Sequence, residues 1–463
     1  MKHEDIRFLL EKPENYYEKE VVVCGWVRTV RTSKEICFVE INDGSCLKNI
    51  QVVCEINSSL FNTLSKLTIG SSLQLKGIAK KSINEKQPIE ISPLDINIFN
   101  ICPSDYPMQK KYHTLEFLRE IPHLRLRTNT FNAMMRVRNT VSYAIHNFFQ
   151  ERGFYYANTP IITGSDCEGA GEMFKVTTLN LKEMAKNGAK EGYEKEDFFG
   201  DTVGLTVSGQ LEGEAFATAL GKIYTFGPTF RAENSNTPRH AAEFWQIEPE
   251  VSFADLEDIL KLEEDMIKHL LKTLIEKCPN EIEFFERNFD KTLREKFNNV
   301  LESDFARVDY TDAIEILLKS GKQFEYPVYW GADLKTEHER YLAEEVYKKP
   351  MFLMNFPKEI KSFYMKENPD GKTVAAADLL VPGVGEIIGG SQREDNLEKL
   401  EQKIKDLKMN REDYWWYLEL RKYGSVPHSG YGLGLERFLL YVTGIGNIRD
   451  VIGFPRTNGA FKI

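Results

Sequence analysis

The sequence predicts an α+β chain in two parts, a β-rich N-terminal domain followed by a larger domain that mixes strands and helices. Three observations carry this. In the first hundred residues, short runs of β-branched and aromatic residues recur with turn residues between them. Beyond residue 123, helical periodicity alternates with extended segments. At 463 residues, 42% hydrophobic and 28% charged, the chain has an ordinary globular composition and length for two or three domains.

The first domain, 1–102, contains strand patterns at 21–27, 36–41, 50–53, 72–77 and 89–91, with an Asn42-Asp43-Gly44 turn and a helix-like piece between the third and fourth. Five strands in that order suit an OB barrel, a fold that binds single-stranded nucleic acid. Residues 103–122 turn to Pro, charge and polar residues and read as a hinge. The second domain, 123–463, opens on a helix at 130–152 whose apolar stripe is Met134, Val137, Val141, Ile145 and Phe148, and which ends at Gly153. Extended segments follow at 222–233 and 243–253, with insertions near 178–201 and 254–375.

Composition excludes several classes of protein. No apolar run approaches the roughly 20 residues of a membrane span, and the first 30 residues lack a signal-peptide core, so a cytoplasmic protein without a membrane partner is expected. Seven cysteines without a CxxC pair argue against a disulfide framework or a zinc site and for small core residues. A net charge of −10 does not favour a polyanion, although Arg28, Arg31, Lys34 and Lys48 offer a local basic patch.

Chemistry concentrates in three strings. In 243–251, period two puts Phe244, Gln246 and Glu248 on one strand face and Trp245, Ile247 and Val251 on the other, which is expected to be core. The partnering segment alternates Arg231 and Glu233 with Phe230 and Ala232, and a polar loop carrying Pro238, Arg239 and His240 joins the two. The plain alternative is a hairpin whose polar face meets water. A second string places Asp378 and Glu386 before Gly389-Gly390-Ser391, where glycines fit a closely approached backbone and the acids are otherwise surface groups. In the third, Gly430, Gly432 and Gly434 leave a strand face bare ahead of Arg437 and the apolar stripe of Leu435, Phe438, Leu439 and Val442.

Phe230-Arg231-Ala232-Glu233 and Gly430-Tyr431-Gly432-Leu433-Gly434-Leu435-Glu436-Arg437, in this order with GEIIGGSQR between them, resemble motifs 2 and 3 of the class II aminoacyl-tRNA synthetases. The 140–152 helix leading to Tyr156-Ala157-Asn158-Thr159-Pro160 resembles motif 1, which builds the dimer interface across that family. The resemblance implies an antiparallel sheet flanked by helices, a homodimer, and an ATP site. Arg231 would meet the α-phosphate, Glu233 and Phe244 the adenine, His240 the outer phosphates and Arg437 the γ-phosphate, with the adenine over the bare face at Gly434. Carboxylates beside a triphosphate need a divalent cation, so Asp378 and Glu386 are expected to hold Mg²⁺. Catalysis would come from positioning and charge neutralisation by Arg231 and Arg437.

An OB domain ahead of this catalytic domain is similar to the aspartyl, asparaginyl and lysyl subgroup, and the strings GSDCEGAGEMF (164–174) and SGQLEGE (208–214) resemble the bacterial asparaginyl type. That implies L-asparagine and tRNA(Asn) as substrates. Aspartyl enzymes carry a lysine where this chain has Gly213. Glu214 is expected to accept from the amide NH2 and Arg393 to donate to its oxygen, while Ser208, Gln210, Gln246 and Glu248 orient the α-ammonium. An aspartate carboxylate about 4 Å from Glu214 would be repelled by roughly 4 kcal/mol at an effective dielectric of about 20. Glu214 as a helix-cap or solvent residue is the alternative. In the barrel, the resemblance implies that Phe38 stacks on the middle anticodon base, Gln51 bonds its edge and Glu90 meets the first base. A core aromatic is the other reading of Phe38. Two rival functions remain, an aspartyl enzyme and a non-aminoacylating RNA-binding paralogue. The paralogue predicts decay of Arg231, Glu386 or Arg437, and all three are present.

Overall fold

The computed structural model describes residues 2–83, 87–167, 173–188, 191–235 and 237–461, in two compact units, Met1–Ala133 and Met134–Ile463. In the first, strands β1 (Glu20–Thr32), β2 (Ile36–Asn42), β3 (Ile50–Glu55), β4 (Ser72–Lys81) and β5 (Ile89–Asn100) close a barrel in the order β1-β2-β3-β5-β4. All five predicted strands are present, and the short helix Phe61–Leu64 falls between the third and fourth. Alternation fills the interior with Cys37, Val39, Ile41, Ile50, Val52, Cys54, Leu73, Leu75, Ile89 and Ile91. Gly77 permits closure at a register shift of β4 on β5, since a Cβ there would lie 2.4 Å from the Ser92 carbonyl oxygen.

Phe38, Gln51 and Glu90 take the opposite parity and are only partly buried. The core reading of Phe38 is therefore excluded. Gln51 is the cross-strand partner of both Glu40 and Glu90, and Phe38 lies between Arg31 and Val53, so the three predicted residues share one outer face. The basic patch is smaller than expected. Arg31 pairs with Glu40 at 3.1 Å, while Arg28 is held by a hydrogen bond to the neutral Asn129 Oδ1 at 2.6 Å.

The expected hinge at 103–122 is more than a linker. It contains the helix Leu115–Glu120, capped by Thr114, and with Met108, Leu118 and Phe131 it builds a small core of its own. Arg125, fully buried, lies 4.1 Å from the centre of the Phe131 ring. Scattered apolar residues in a polar stretch gave no periodic signal for this.

The second unit contains most of helix α1 (Asn129–Gln150), then β6 (Tyr155–Tyr156), α2 (Gln210–Leu220), β7 (Lys222–Phe230), β8 (Glu243–Ser252), α3 (Leu256–Lys277), β9 (Ala306–Asp309), β10 (Met351–Pro357), β11 (Thr373–Val381), β12 (Gly385–Gln392), α4 (Trp415–Lys422), β13 (His428–Gly434) and α5 (Leu435–Thr443). Eight strands form one sheet ordered β9-β10-β11-β12-β13-β8-β7-β6. Its six inner strands are antiparallel as expected, while β9 on β10 and β6 on β7 are parallel. Residues 254–375 are not a pure insertion, because they supply β9, β10 and the start of β11. The near-continuous apolar run Met351-Phe352-Leu353-Met354 marks β10 as a strand covered on both faces. The 178–201 segment carries the exposed helix Leu181–Asn187 and the exposed aromatics Tyr193, Phe198 and Phe199.

Candidate active site

Register decides which side chains meet. In β8, Phe244, Gln246, Glu248 and Glu250 all face one cavity of about 380 Å³, and the next strand contributes Gly434 opposite Gln246, with Gly432 two residues before it. A Cβ at Gly432 would lie 3.6 Å from Gln246 Nε2, so the bare glycine face leaves room above the sheet for a flat ligand. The opposite face of β8 is less of a core than predicted. Ile247 is buried, but Trp245 is 37% exposed and meets Phe226 edge-on at 5.5 Å.

β7 ends at Phe230, so Arg231 and Glu233 lie just past it rather than in the strand. Arg231 is held by its backbone N–H, which donates to Ala242 at 3.0 Å, and its guanidinium sits 5.6 Å from the Phe244 ring centre and 3.9 Å from Glu233. The connecting loop is anchored where Ile448 N–H donates to the Pro238 carbonyl at 2.7 Å, and Thr237 fixes His240 through Nδ1. Burial first, then the charge of Arg437, holds the His240 imidazole below its ordinary pKa. Arg437, in the first turn of α5, reaches Glu386 at 3.2 Å.

Asp378 and Glu386 converge over Gly389. Each places a carboxylate oxygen 3.4 Å from where a Cβ on Gly389 would lie, which explains the glycine. Burial pushes Asp378 up to about 6 against the pull of Lys361, whereas Arg437 and Lys361 outweigh burial at Glu386 and hold it low. Among the described residues no three His, Cys, Asp or Glu side chains are grouped as a metal cage. Two carboxylates converging in one cavity fit Mg²⁺, which takes few protein ligands and draws the rest from phosphate and water.

The other end of the cavity gathers acidic and amide side chains held by their neighbours. Glu248 accepts from Ser208 Oγ, from Gly209 N–H at 3.0 Å and from Thr225 Oγ1 at 2.9 Å, and Gln246 accepts from Thr229 at 3.0 Å, which turns its NH2 toward the cavity. Arg393 makes a two-point pair with Glu250, Nε to Oε2 at 3.2 Å and Nη2 to Oε1, and donates from Nη1 to Ser391 at 2.6 Å.

Glu214 does not line the cavity. Fully buried behind it, it accepts from Gln210 at 3.1 Å, Tyr417 at 2.8 Å, Arg421 at 2.6 Å and His428 at 2.8 Å, and lies 3.9 Å from Arg393. Burial would raise its pKa, but Arg421 and His428 hold it well below the ordinary range. The acceptor that does face the cavity beside Arg393 is Glu250. It is the next residue on the face already carrying Phe244, Gln246 and Glu248, so the same period-two reading, carried one step further, reaches it. Lys361 and Tyr364 also line the cavity, from the loop after β10, and no motif marked them.

Thirteen of the predicted catalytic-domain residues therefore share one cavity, namely Ser208, Gln210, Arg231, Glu233, His240, Phe244, Gln246, Glu248, Asp378, Glu386, Arg393, Gly434 and Arg437. Of the string 164–174, residues 168–172 lie outside the described residues.

Comparison with known proteins agrees with this geometry. Residues 114–458 match the family model of class II tRNA synthetases (D, K and N), and residues 21–99 match that of the OB-fold nucleic acid binding domain. The chain is 59% identical to asparagine–tRNA ligase of Alkaliphilus oremlandii and 57% identical to that of Clostridium botulinum, each over 98% of both chains. Among solved structures it is similar to asparaginyl-tRNA synthetase from Pyrococcus horikoshii complexed with asparaginyl-adenylate, at 34% identity and a TM-score of 0.87 over the whole of both chains. With a family model spanning most of its length and relatives this similar from end to end, the chain belongs to the asparagine–tRNA ligase family of class II tRNA synthetases.

Proposed function

We propose that the protein joins L-asparagine to tRNA(Asn) in two steps. The asparagine α-carboxylate attacks the α-phosphorus of ATP and pyrophosphate leaves. A hydroxyl of the terminal tRNA ribose then attacks the acyl carbon of asparaginyl-adenylate and AMP leaves. Phe244 and the bare face at Gly432 and Gly434 receive the adenine with Glu233 at its edge, Arg231 meets the α-phosphate, and Arg437 with His240 meets the outer phosphates. Asp378 and Glu386 would hold Mg²⁺, which would supply neutralisation of the phosphate charge. Glu248, held ready by three donors, takes the α-ammonium together with Ser208, Gln210 and Gln246.

One observation carries the choice of amino acid, the Arg393–Glu250 pair at the cavity wall. It offers a donor and an acceptor side by side, the complement of an amide. A carboxylate would gain Arg393 but meet Glu250 as a like charge. Gly213 supports this reading, since a Cβ there would lie 3.7 Å from Glu250 Cγ and a lysine would add the cation that an acidic substrate needs. ATP–pyrophosphate exchange with asparagine and aspartate in parallel tests it. Exchange is expected with asparagine, and faster exchange with aspartate would overturn the assignment.

The working form we infer is a cytoplasmic homodimer. No helix among the described residues is long and apolar enough to cross a membrane. Around the motif 1 strand, Tyr143, Tyr155, Tyr156, Ile161 and Trp245 are exposed, an apolar surface of the kind a partner subunit covers. Sedimentation at micromolar concentration is expected to give the mass of two chains, and a monomer would refute the interface.

In the barrel, the outer face of Phe38, Gln51 and Glu90 supports anticodon reading by stacking and edge contacts. Phe38→Ala is expected to lower tRNA charging five- to hundredfold, about 1 to 3 kcal/mol, while leaving amino-acid activation and melting temperature unchanged. Equal charging by variant and wild type would remove Phe38 from that role.

A further inference from the structure

Lys361 stands where the reaction's cation chemistry takes place, although none of the recognised motifs contains it. It follows the single turn Lys358–Ile360 after β10, lines the cavity, and directs its ammonium at both oxygens of Asp378, at 2.9 and 2.7 Å. The Phe356 ring seats it from behind, with Nζ 3.8 Å from the ring centre. Glu386, the second carboxylate over Gly389, is in turn paired with Arg437. Both acids expected to receive a divalent cation are thus already neutralised by cations of the chain itself.

We propose that Lys361 is a placeholder for the divalent cation, neutralising Asp378 in the nucleotide-free enzyme and giving it up when metal and nucleotide arrive together. The inference rests on the ATP-site reading above. Two carboxylates converging in a buried cleft repel each other, and a cation fixed between them relieves this and competes with any free metal ion. The incoming nucleotide changes the balance, because its phosphate oxygens supply the remaining metal ligands and at the same time offer the displaced ammonium an anionic partner. Metal binding is thereby tied to nucleotide binding. Free divalent ion is refused, and the metal enters as its nucleotide complex. The ammonium freed from Asp378 adds to the positive charge of Arg231 on the phosphates, so Lys361 acts in substrate binding as well as in neutralising Asp378.

The test is titration of the whole protein with Mn²⁺ at pH 8, with free ion followed by electron paramagnetic resonance. Without nucleotide, Lys361→Met is expected to bind Mn²⁺ at least about tenfold more tightly than wild type, while Lys361→Arg, which keeps the charge, stays near wild type. With saturating non-hydrolysable ATP analogue the gap between Lys361→Met and wild type is expected to close to within about threefold. Equal Mn²⁺ affinity of wild type and Lys361→Met in the absence of nucleotide would overturn the proposal, as would a tenfold gap that persists with the analogue. Lys361→Gln provides the same comparison where the methionine variant does not fold. Failure of wild type to take up Mn²⁺ with the analogue at all would overturn the nucleotide-site reading itself, a result distinct from the others.

Discussion

Alanine at Arg231 or at Arg437 is expected to slow adenylate formation by roughly 30- to 1000-fold, while the protein folds and melts as wild type. Each guanidinium loses a charge-assisted, potentially two-point contact to phosphate, and such contacts strengthen as charge develops in the transition state, worth about 2 to 4 kcal/mol each. The two losses differ in their side effects. Arg437 also neutralises Glu386 at 3.2 Å, so Arg437→Ala leaves a carboxylate without its ion-pair partner beside the phosphates and is expected to weaken nucleotide binding as well as turnover. Arg231 lies over Phe244 at 5.6 Å, so its loss also removes one wall from the adenine seat. Pyrophosphate exchange measured across ATP concentrations separates these effects. Near-normal turnover in either variant would show that the phosphates do not lie between these residues.

Glu250→Gln is expected to erode the preference for asparagine over aspartate by up to about a thousandfold. A like charge about 4 Å away at an effective dielectric of about 20 costs roughly 4 kcal/mol, and the substitution removes that charge while keeping an oxygen that accepts from the amide. Asparagine activation should fall far less than the ratio changes. Acidification should act in the same direction as the substitution. Burial pushes Glu250 up to about 7, against the pull of Arg393 and with the help of Glu214, and His428 is the other charged or titratable group facing it. Its pKa is raised, so the carboxyl is neutral below about 7 and ionised above. Discrimination is therefore expected to be strongest above pH 7 and to weaken as pH falls through it, and the Glu250→Gln variant should lose this dependence. A ratio that is flat with pH in wild type and unchanged in the variant would move the selecting acid elsewhere.

Glu214 illustrates what a sequence hides. Its string points to amino-acid recognition, and the residue does lie within 3.9 Å of Arg393. Its facing is set by Tyr417 and Arg421 on α4, about two hundred residues later in the chain, which close over it together with His428. Nothing local to 208–214 encodes that lid. The same holds for Lys361, whose importance exists only because β10 and β11 pair and bring Asp378 under its ammonium.

The chain by itself determined the five barrel strands, the helix of motif 1, the two strands of motif 2 with their cavity face, and the glycine strand ending at Arg437. Each of these is written in a few neighbouring residues as period-two or helical spacing, turn chemistry or missing side chains, and local spacing fixes which way neighbours point. Only the tertiary structure decided that residues 254–375 complete the sheet, that 103–122 builds a core, that Glu250 rather than Glu214 stands beside Arg393 in the cavity, and that Lys361 and Arg437 neutralise the two acids. Those outcomes depend on which charges and faces meet across long stretches of chain, and pairing between distant residues is set by strand order and packing, which no local pattern specifies.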